Sequence, residues 1–192
     1  MIDYAKFIYP PLGQRCTTTR RLIVHRKLYS QLVERLTKAY QQVKIGNPLE
    51  KDTLCGPLHC QQAVDNYLET ISQIKKEGGR IVAGGSVVKD FYVQPTIVTG
   101  LKHDSEIVKK ETFAPIVYVI ECDSVDQAIE YNNEVDQGLS SSLFTNNLGE
   151  IFKWIGPNGS DCGIVNVNIP TSGAEIGGAF GLSYHIGFFY LH

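Results

Sequence analysis

The sequence predicts an α/β fold with a mostly parallel sheet and flanking helices. Short runs rich in Val, Ile and Leu alternate with longer segments whose apolar residues recur at three- and four-residue steps. The first pattern is typical of buried strands and the second of amphipathic helices. The connections between them are short, and strands that alternate with helices in this way usually form a parallel sheet. The 192 residues suffice for one domain with a hydrophobic core.

The first half of the chain is expected to open with a strand and two helices. Thr19–His25 is the strand, because Leu, Ile and Val dominate it. Lys27–Val43 has apolar residues at helical spacing, and a Gly-Asn-Pro sequence ends that helix. A second amphipathic helix is predicted from about His59 to Glu77, where Gly78-Gly79 stops it.

Strands dominate the rest of the chain, with two shorter helices among them. Pro95 interrupts one apolar run, which is therefore either an edge strand or two short pieces. Ser124 and Gln127 have the spacing of a capping box, which opens a helix that runs to about Asn133. A further helix is expected at Leu148–Ile155. The predicted strands are Arg80–Ala83, Tyr92–Val98, Val117–Ile120, Ser141–Phe144 and Gly163–Asn168.

Composition excludes several classes of partner. Apolar residues make up 43% of the chain, charged residues 20%, and the formal charge is −2 with both signs interspersed. A nucleic-acid or anionic-membrane partner needs a basic face, so neither is expected. No apolar run has the length of a membrane span. Five cysteines at irregular spacing, without an export signal, indicate free thiols in a reducing compartment, and we expect a cytoplasmic protein.

Two weaker patterns favour plain structure over chemistry. Gly177, Gly178 and Gly181 fit neither a Walker loop nor a dinucleotide fingerprint, and a simple loop is the better interpretation. Cys55, His59 and Cys60 have no second ligand pair, which zinc sites usually need, so no metal site is predicted. The Gly56-Pro57 turn before a helix explains that segment without a metal.

The segment that ends at Cys16 carries the chemistry. A thiolate is a strong nucleophile, and nearby positive charge favours it. Arg15 is adjacent, and Gly13 allows the backbone to approach a ligand closely. On the residues alone, a buried structural cysteine remains the alternative, since most cysteines are structural.

Several separated motifs resemble the aldehyde dehydrogenase superfamily. They are Gly13-Gln14-Arg15-Cys16 before a strand, Glu111-Thr112-Phe113-Ala114-Pro115, and the stretches 132–145, 156–170 and 171–181. The last three look closest to the branch that oxidises α-aminoadipic semialdehyde. The resemblance implies the fold of the family's catalytic domain, and it covers residues 13–181.

The resemblance also implies a mechanism and its residues. Cys16 matches the nucleophile, which captures an aldehyde as a thiohemiacetal and carries the resulting thioester until water releases the acid. Glu111 matches the glutamate that binds the nicotinamide ribose of NAD, and Phe113 the aromatic beside it. On sequence alone, an ordinary surface carboxylate remains the alternative for Glu111.

The same branch binds the amino-acid head of its substrate, and four residues match that clamp. Arg15 and Thr17 flank the nucleophile, while Gly173 and Ala174 match a loop whose backbone amides meet the head group. An arginine fork and free amides suit a carboxylate. A simple tight turn is the alternative for Gly173 and Ala174.

The resemblance divides the chain into three parts. Residues 1–12 are unmatched, residues 13–181 form a partial catalytic domain truncated at both ends, and residues 182–192 are a divergent tail. The cofactor domain and the general base of the family precede the nucleophile and have no counterpart here, so we expect the chain alone not to turn over aldehyde. The rival hypothesis is a non-catalytic isoform that associates with full-length subunits. By family, those subunits form homo-oligomers, typically tetramers, and a mitochondrial location is open.

Overall fold

The computed structural model describes residues 13–172, which fall in two compact units that meet between Cys122 and Asp123. The first unit contains, in chain order, β1 (Arg21–His25), α1 (Arg26–Gln41), α2 (Gln61–Lys76), β2 (Arg80–Ala83), β3 (Val87–Lys89), β4 (Tyr92–Val93), β5 (Thr96–Thr99), α3 (Glu106–Lys109) and β6 (Ile116–Cys122). The second contains α4 (Val125–Asn133), β7 (Ser140–Leu143), α5 (Leu148–Ile155) and β8 (Ile164–Val167).

A four-stranded sheet organises the first unit, in the order β1-β6-β5-β2. Strand β6 runs parallel to both of its neighbours, whereas β2 is an antiparallel edge strand. The prediction of a mostly parallel sheet with flanking helices is therefore confirmed. Strand β6 is buried at every position except Glu121, as expected for a parallel strand covered on both faces.

Helix α1 packs on this sheet and closes the hydrophobic core. Leu36 and Tyr40 from the helix meet side chains of β1, β5 and β6 in one buried cluster. The helix forms because its apolar residues fall on one stripe. That stripe is narrower than the sequence indicated, because Leu28 at its start is exposed. The buried members of the cluster are Val24, Leu36, Tyr40, Ile97, Val117 and Val119.

Helix α2 is fixed to the sheet by a buried tyrosine. Tyr67 lies fully buried, and its hydroxyl is 2.9 Å from the Gln94 carbonyl oxygen and 2.7 Å from Thr96 Oγ1. The buried stripe of α2 otherwise matches the predicted one, except that Leu68 is exposed. Helix α2 is therefore anchored to β5 through Tyr67.

The apolar run around Pro95 is two strands, β4 and β5, and β5 lies inside the sheet instead of at an edge. The expectation of two pieces was right and that of an edge strand was wrong for β5. Proline has no N–H for a ladder, so the ladder breaks at Pro95 and resumes at Thr96, whose N–H donates to the Pro115 carbonyl at 2.8 Å. Two short elements, β3 and α3, were missed because three or four residues show no period.

The second unit is built on a two-stranded parallel sheet, in which β7 pairs with β8. Helix α5 matches its predicted bounds, Leu148–Ile155, and Trp154 is its buried anchor. Helix α4 begins at the predicted capping box: the Gln127 N–H donates to Ser124 Oγ at 3.2 Å, and Gln127 Oε1 accepts from the Asp123 N–H at 2.7 Å.

Candidate active site

The segment before β1 forms a tight turn that packs against Ala114 and Pro115, directly before β6. A β-carbon on Gly13 would lie 2.1 Å from the Ala114 carbonyl carbon, and the φ of Gly13 is +66°. Only glycine fits both conditions. The Arg15 N–H donates to Thr18 Oγ1 at 3.2 Å, and the Thr18 N–H returns a bond to the Arg15 carbonyl at 3.0 Å. Cys16 lies inside this turn, with its thiol exposed.

Arg20 connects this turn to a second segment. Its Nη1 donates to the Gly13 carbonyl and its Nη2 to the Arg15 carbonyl, both at 3.3 Å. The same Nη2 lies 3.0 Å from Glu111 Oε1. Burial lowers the pKa of Arg20, and the adjacent Glu111 carboxylate opposes that shift. Glu111 is therefore half of an ion pair at the site and not an isolated surface carboxylate.

Phe113 combines an unusual backbone conformation with a ring that contacts Arg20. Its φ is +56°, a left-handed conformation that a bulky residue rarely adopts. The guanidinium carbon of Arg20 lies 5.0 Å from the centre of the ring, within the range of a cation–π contact. Thr112, between Glu111 and Phe113, has its Oγ1 3.3 Å from Thr70 Oγ1 of α2. Strained residues of this kind concentrate at functional sites.

A second anchor ties the turn to the start of α2. Gln14 Oε1 accepts from the His59 N–H at 3.2 Å, and Gln14 Nε2 is 2.7 Å from His59 Nδ1. The other ring nitrogen, Nε2, is 3.2 Å from Cys60 Sγ. His59 and Cys60 thus have a structural role at the turn.

Within residues 13–172, no three His, Cys, Asp or Glu side chains are grouped as metal ligands. Cys55 is buried, and its Sγ lies 3.8 Å from the Gly56 carbonyl oxygen. Burial raises the pKa of the Cys55 thiol to about 11. The two cysteines in this part of the chain therefore differ: Cys55 is a core side chain, and Cys60 faces the imidazole.

The structure brings most of the predicted site residues together. Through Arg20, the turn that carries Arg15, Cys16 and Thr17 is joined to Glu111 and Phe113. Gly173 and Ala174 lie outside the described residues, as do residues 1–12 and 182–192.

Arg20, Gln14 and His59 were missed as site residues by sequence reasoning. The only signal for Arg20 was a positive charge just after the nucleophile, at the start of a strand. No periodicity in the sequence predicts that this arginine contacts a carboxylate as distant in the chain as Glu111.

In the described range, the structure holds no helix with the length and apolar character that crossing a bilayer requires. The sheet and its helices have clear counterparts among solved structures. An aldehyde dehydrogenase from Bacillus cereus superposes with a TM-score of 0.81 at 33% identity, over 88% of this chain and 35% of the other. A lactaldehyde dehydrogenase from Escherichia coli gives a TM-score of 0.81 at 32% identity, with the same coverage of both chains.

Sequence comparison agrees. The α-aminoadipic semialdehyde dehydrogenase of Rattus norvegicus is 58% identical over 177 residues, which are 91% of this chain and 33% of the relative. A putative aldehyde dehydrogenase family 7 member A1 homolog of Caenorhabditis elegans is 63% identical over 173 residues, 88% of this chain and 33% of its own length.

The chain thus spans about a third of the length of the curated relatives it matches. The model of the aldehyde dehydrogenase family matches residues 5–181. On the fold, the relatives and this match together, the chain belongs to the aldehyde dehydrogenase family.

Proposed function

We propose that this chain supplies the nucleophile and part of the cofactor and substrate surfaces for NAD-dependent oxidation of an aldehyde to its acid. The observation that carries the proposal is the exposed Cys16 thiol in a turn that Arg20 joins to Glu111 and Phe113. A reactive thiol needs access and a nearby cation. Cys16 is exposed and the Arg20 guanidinium binds the main-chain carbonyl of the residue before it, whereas Cys55 is buried.

The chemistry begins at the Cys16 sulfur. Its thiolate attacks the aldehyde carbon, a C–S bond forms, and the carbonyl electrons move to oxygen. A bound NAD supplies the hydride acceptor that converts this adduct into a Cys16 thioester. Water then cleaves the C–S bond, which releases the acid and restores the thiol. The net change is aldehyde, NAD and water to acid, NADH and a proton.

The residues present fit NAD at the Glu111–Phe113 segment. Glu111 Oε1 is bonded to Arg20, and a carboxylate has a second oxygen that can accept from ribose hydroxyls. The Glu111 side chain is 40% exposed, so a ligand can reach it. Phe113 lies beside it with a partly exposed ring. An NAD⁺ complex exists for the Bacillus cereus relative, which has a TM-score of 0.81 and 32% identity.

For the substrate, we propose a semialdehyde with an amino-acid head, such as α-aminoadipic semialdehyde. The name of the rat relative supports this choice. The Arg15 side chain is exposed next to Cys16, where a guanidinium can bind a carboxylate with two parallel hydrogen bonds. Thr17, Gly173 and Ala174 complete the proposed clamp.

The test measures capture of the aldehyde at Cys16, which does not depend on turnover. The purified chain is alkylated with iodoacetamide, and each thiol is followed by peptide mass spectrometry. We expect Cys16 to react and Cys55 to be spared. A semialdehyde with an amino-acid head should slow alkylation of Cys16 more than a plain aldehyde of equal length. It should leave Cys162, a partly exposed thiol of the second unit, unaffected in the same sample.

The matched variants are Arg15→Gln and Arg80→Gln. The first removes the proposed carboxylate contact and should abolish the difference between the two aldehydes. The second removes an exposed arginine at the start of β2 and should preserve it. Labelling that spares Cys16 while the other accessible thiols react would overturn the proposal.

A cytoplasmic location and homo-oligomeric assembly belong to the same proposal. Cell fractionation and the sedimentation of the purified chain, alone and mixed with a full-length relative, test them directly. Co-sedimentation without any protection of Cys16 by aldehyde would favour the non-catalytic alternative.

A further inference from the structure

Arg20 contacts the Gly13–Arg15 turn, Glu111 and Phe113, and it has no assigned role. We propose that Arg20 is a positioning residue for the dehydrogenase reaction: its guanidinium fixes the Gly13–Cys16 turn and the Glu111 carboxylate in one arrangement. This inference rests on the proposed function, because it assumes that Cys16 and Glu111 act on the same substrate pair. It explains why the Gly13–Cys16 turn and the segment that carries Glu111 keep a fixed relative position.

The first argument is the number of acceptors that one side chain serves. Two are main-chain carbonyls of the turn, those of Gly13 and Arg15, and the third is the Glu111 carboxylate. The two carbonyls lie three residues and one residue before the nucleophile, so the turn is fastened on the approach to Cys16. A planar guanidinium presents five N–H donors in a rigid fork, whereas a lysine ammonium is a single point charge.

The second argument is burial. The Arg20 side chain is 19% exposed, and burial lowers its pKa. A partly desolvated cation is unfavourable unless it is paired. Glu111 provides the pairing and the Phe113 ring covers one face of the guanidinium. The ring that makes this contact belongs to a residue with a left-handed backbone, whose φ is +56°.

The third argument is the contrast with ordinary ion pairs in the same chain. Lys38 and Glu34 form a contact of 2.6 Å, but both side chains are about two-thirds exposed and lie one turn apart on α1. Exposed pairs of that kind contribute little to structure. The pair of Arg20 and Glu111 joins segments that are distant in sequence and adds two main-chain bonds. A surface ion pair would not need them.

The arrangement leaves Glu111 able to act. Oε1 accepts from Arg20, and Oε2 remains for the cofactor ribose in the proposed site. Arg20 therefore orients the Glu111 carboxylate without occupying both of its oxygens. The same guanidinium binds the carbonyl of Arg15, the residue directly before Cys16. Loss of Arg20 should consequently affect both the reactivity of Cys16 and its dependence on Glu111.

The experiment is a double-mutant cycle read at Cys16. The chain and its Arg20→Gln, Arg20→Lys, Glu111→Gln and Arg20→Gln/Glu111→Gln variants are alkylated with iodoacetamide at neutral pH. We expect Arg20→Gln to slow alkylation of Cys16 about fivefold, equivalent to about 1 kcal/mol in the barrier. Arg20→Lys should recover only part of that rate, because it restores the charge without the fork. The change in the Cys16 alkylation rate that Glu111→Gln causes should disappear in the Arg20→Gln background.

Internal references separate positioning from loss of fold. Cys162, a partly exposed thiol of the second unit, should react at the same rate in every variant, the buried Cys55 should stay unlabelled, and Arg80→Gln should behave as the parent chain. If Arg20→Gln does not fold, labelling of Cys55 reveals it, and Arg20→Lys then decides the outcome. Parent-like rates at Cys16 in both Arg20 variants, or additive effects of Arg20 and Glu111, would overturn the inference. In that case protection of Cys16 by aldehyde would still stand; the proposed function falls if Cys16 is spared by iodoacetamide or if aldehyde does not protect it.

Discussion

The two compact units of the chain are stabilised in different ways. In the first, the central strands β5 and β6 are buried at every position except Glu121. In the second, β7 begins with three serines, and two of them, Ser140 and Ser142, donate to main-chain carbonyls after β8. Burial fixes the register where the strands are buried on both faces. Side-chain bonds to the backbone do so where strands are short and polar.

Removing core volume from the first unit should have the largest effect. Ile97 in β5 is fully buried in the cluster beneath α1. Ile97→Ala should lower the free energy of unfolding by about 2–5 kcal/mol, because the cavity cannot fully collapse. Denaturant unfolding followed by far-UV circular dichroism measures it. Ile155→Ala, at an exposed position of α5, is the matched control. Equal costs for the two would refute burial as the stabilising term.

In the second unit, the side chain of Asn168 should matter most. Its Oδ1 accepts from the Thr145 N–H at 3.0 Å and its Nδ2 donates to the Thr145 carbonyl at 2.9 Å. Asn168→Ala should destabilise the unit by about 1–3 kcal/mol, since both Thr145 groups lose their partner. Trp154, the single tryptophan of the chain, reports the transition by fluorescence.

Asn168→Gly separates that amide bridge from the backbone. The φ of Asn168 is +56°, which glycine tolerates and alanine does not. The glycine variant should therefore be less damaged than the alanine variant. A wild-type transition in Asn168→Ala would show that polar bonds do not set the register here.

The capping box offers a smaller test of the same contrast. Ser124→Ala removes the acceptor of the Gln127 N–H and should cost about 1 kcal/mol. Ser105 occupies the equivalent position before α3 without a side-chain cap bond. Ser105→Ala should thus leave the unfolding midpoint nearly unchanged. Equal shifts of the unfolding midpoint in Ser124→Ala and Ser105→Ala would contradict the role of the side-chain cap.

Ionisation of the buried Cys55 thiol should affect the free energy of unfolding only in alkaline solution. Burial raises its folded pKa from 9.0 to about 11, so its neutral form contributes full stability below pH 9 and loses that contribution as pH rises through 11. At pH 10 the loss is about 1 kcal/mol. Cys55→Ala should therefore be less destabilising at pH 10 than at pH 8, in paired denaturant titrations. A cost that is the same at both pH values would contradict the assignment.

Local patterns in the sequence predicted much of this molecule. Helix α5, strand β2 and the capping box at Ser124 agree with their predictions, because period, caps and turn residues act over a few positions. The same locality explains the errors. Leu28 and Leu68 have helical spacing but remain exposed, since a helix face buries only what its neighbour covers.

The sequence alone identified the family's motifs and the alternating strands and helices, since these depend on residues that are close together in the chain. Only the tertiary structure decided which thiol is accessible and which carboxylate is paired. Cys16 and Cys55 each stand near a glycine, yet one is exposed and the other is core. Arg20 meets Glu111 because β1 and β6 lie side by side. Ion pairs between distant polar residues leave no periodic trace in a sequence, whereas hydrophobic burial does.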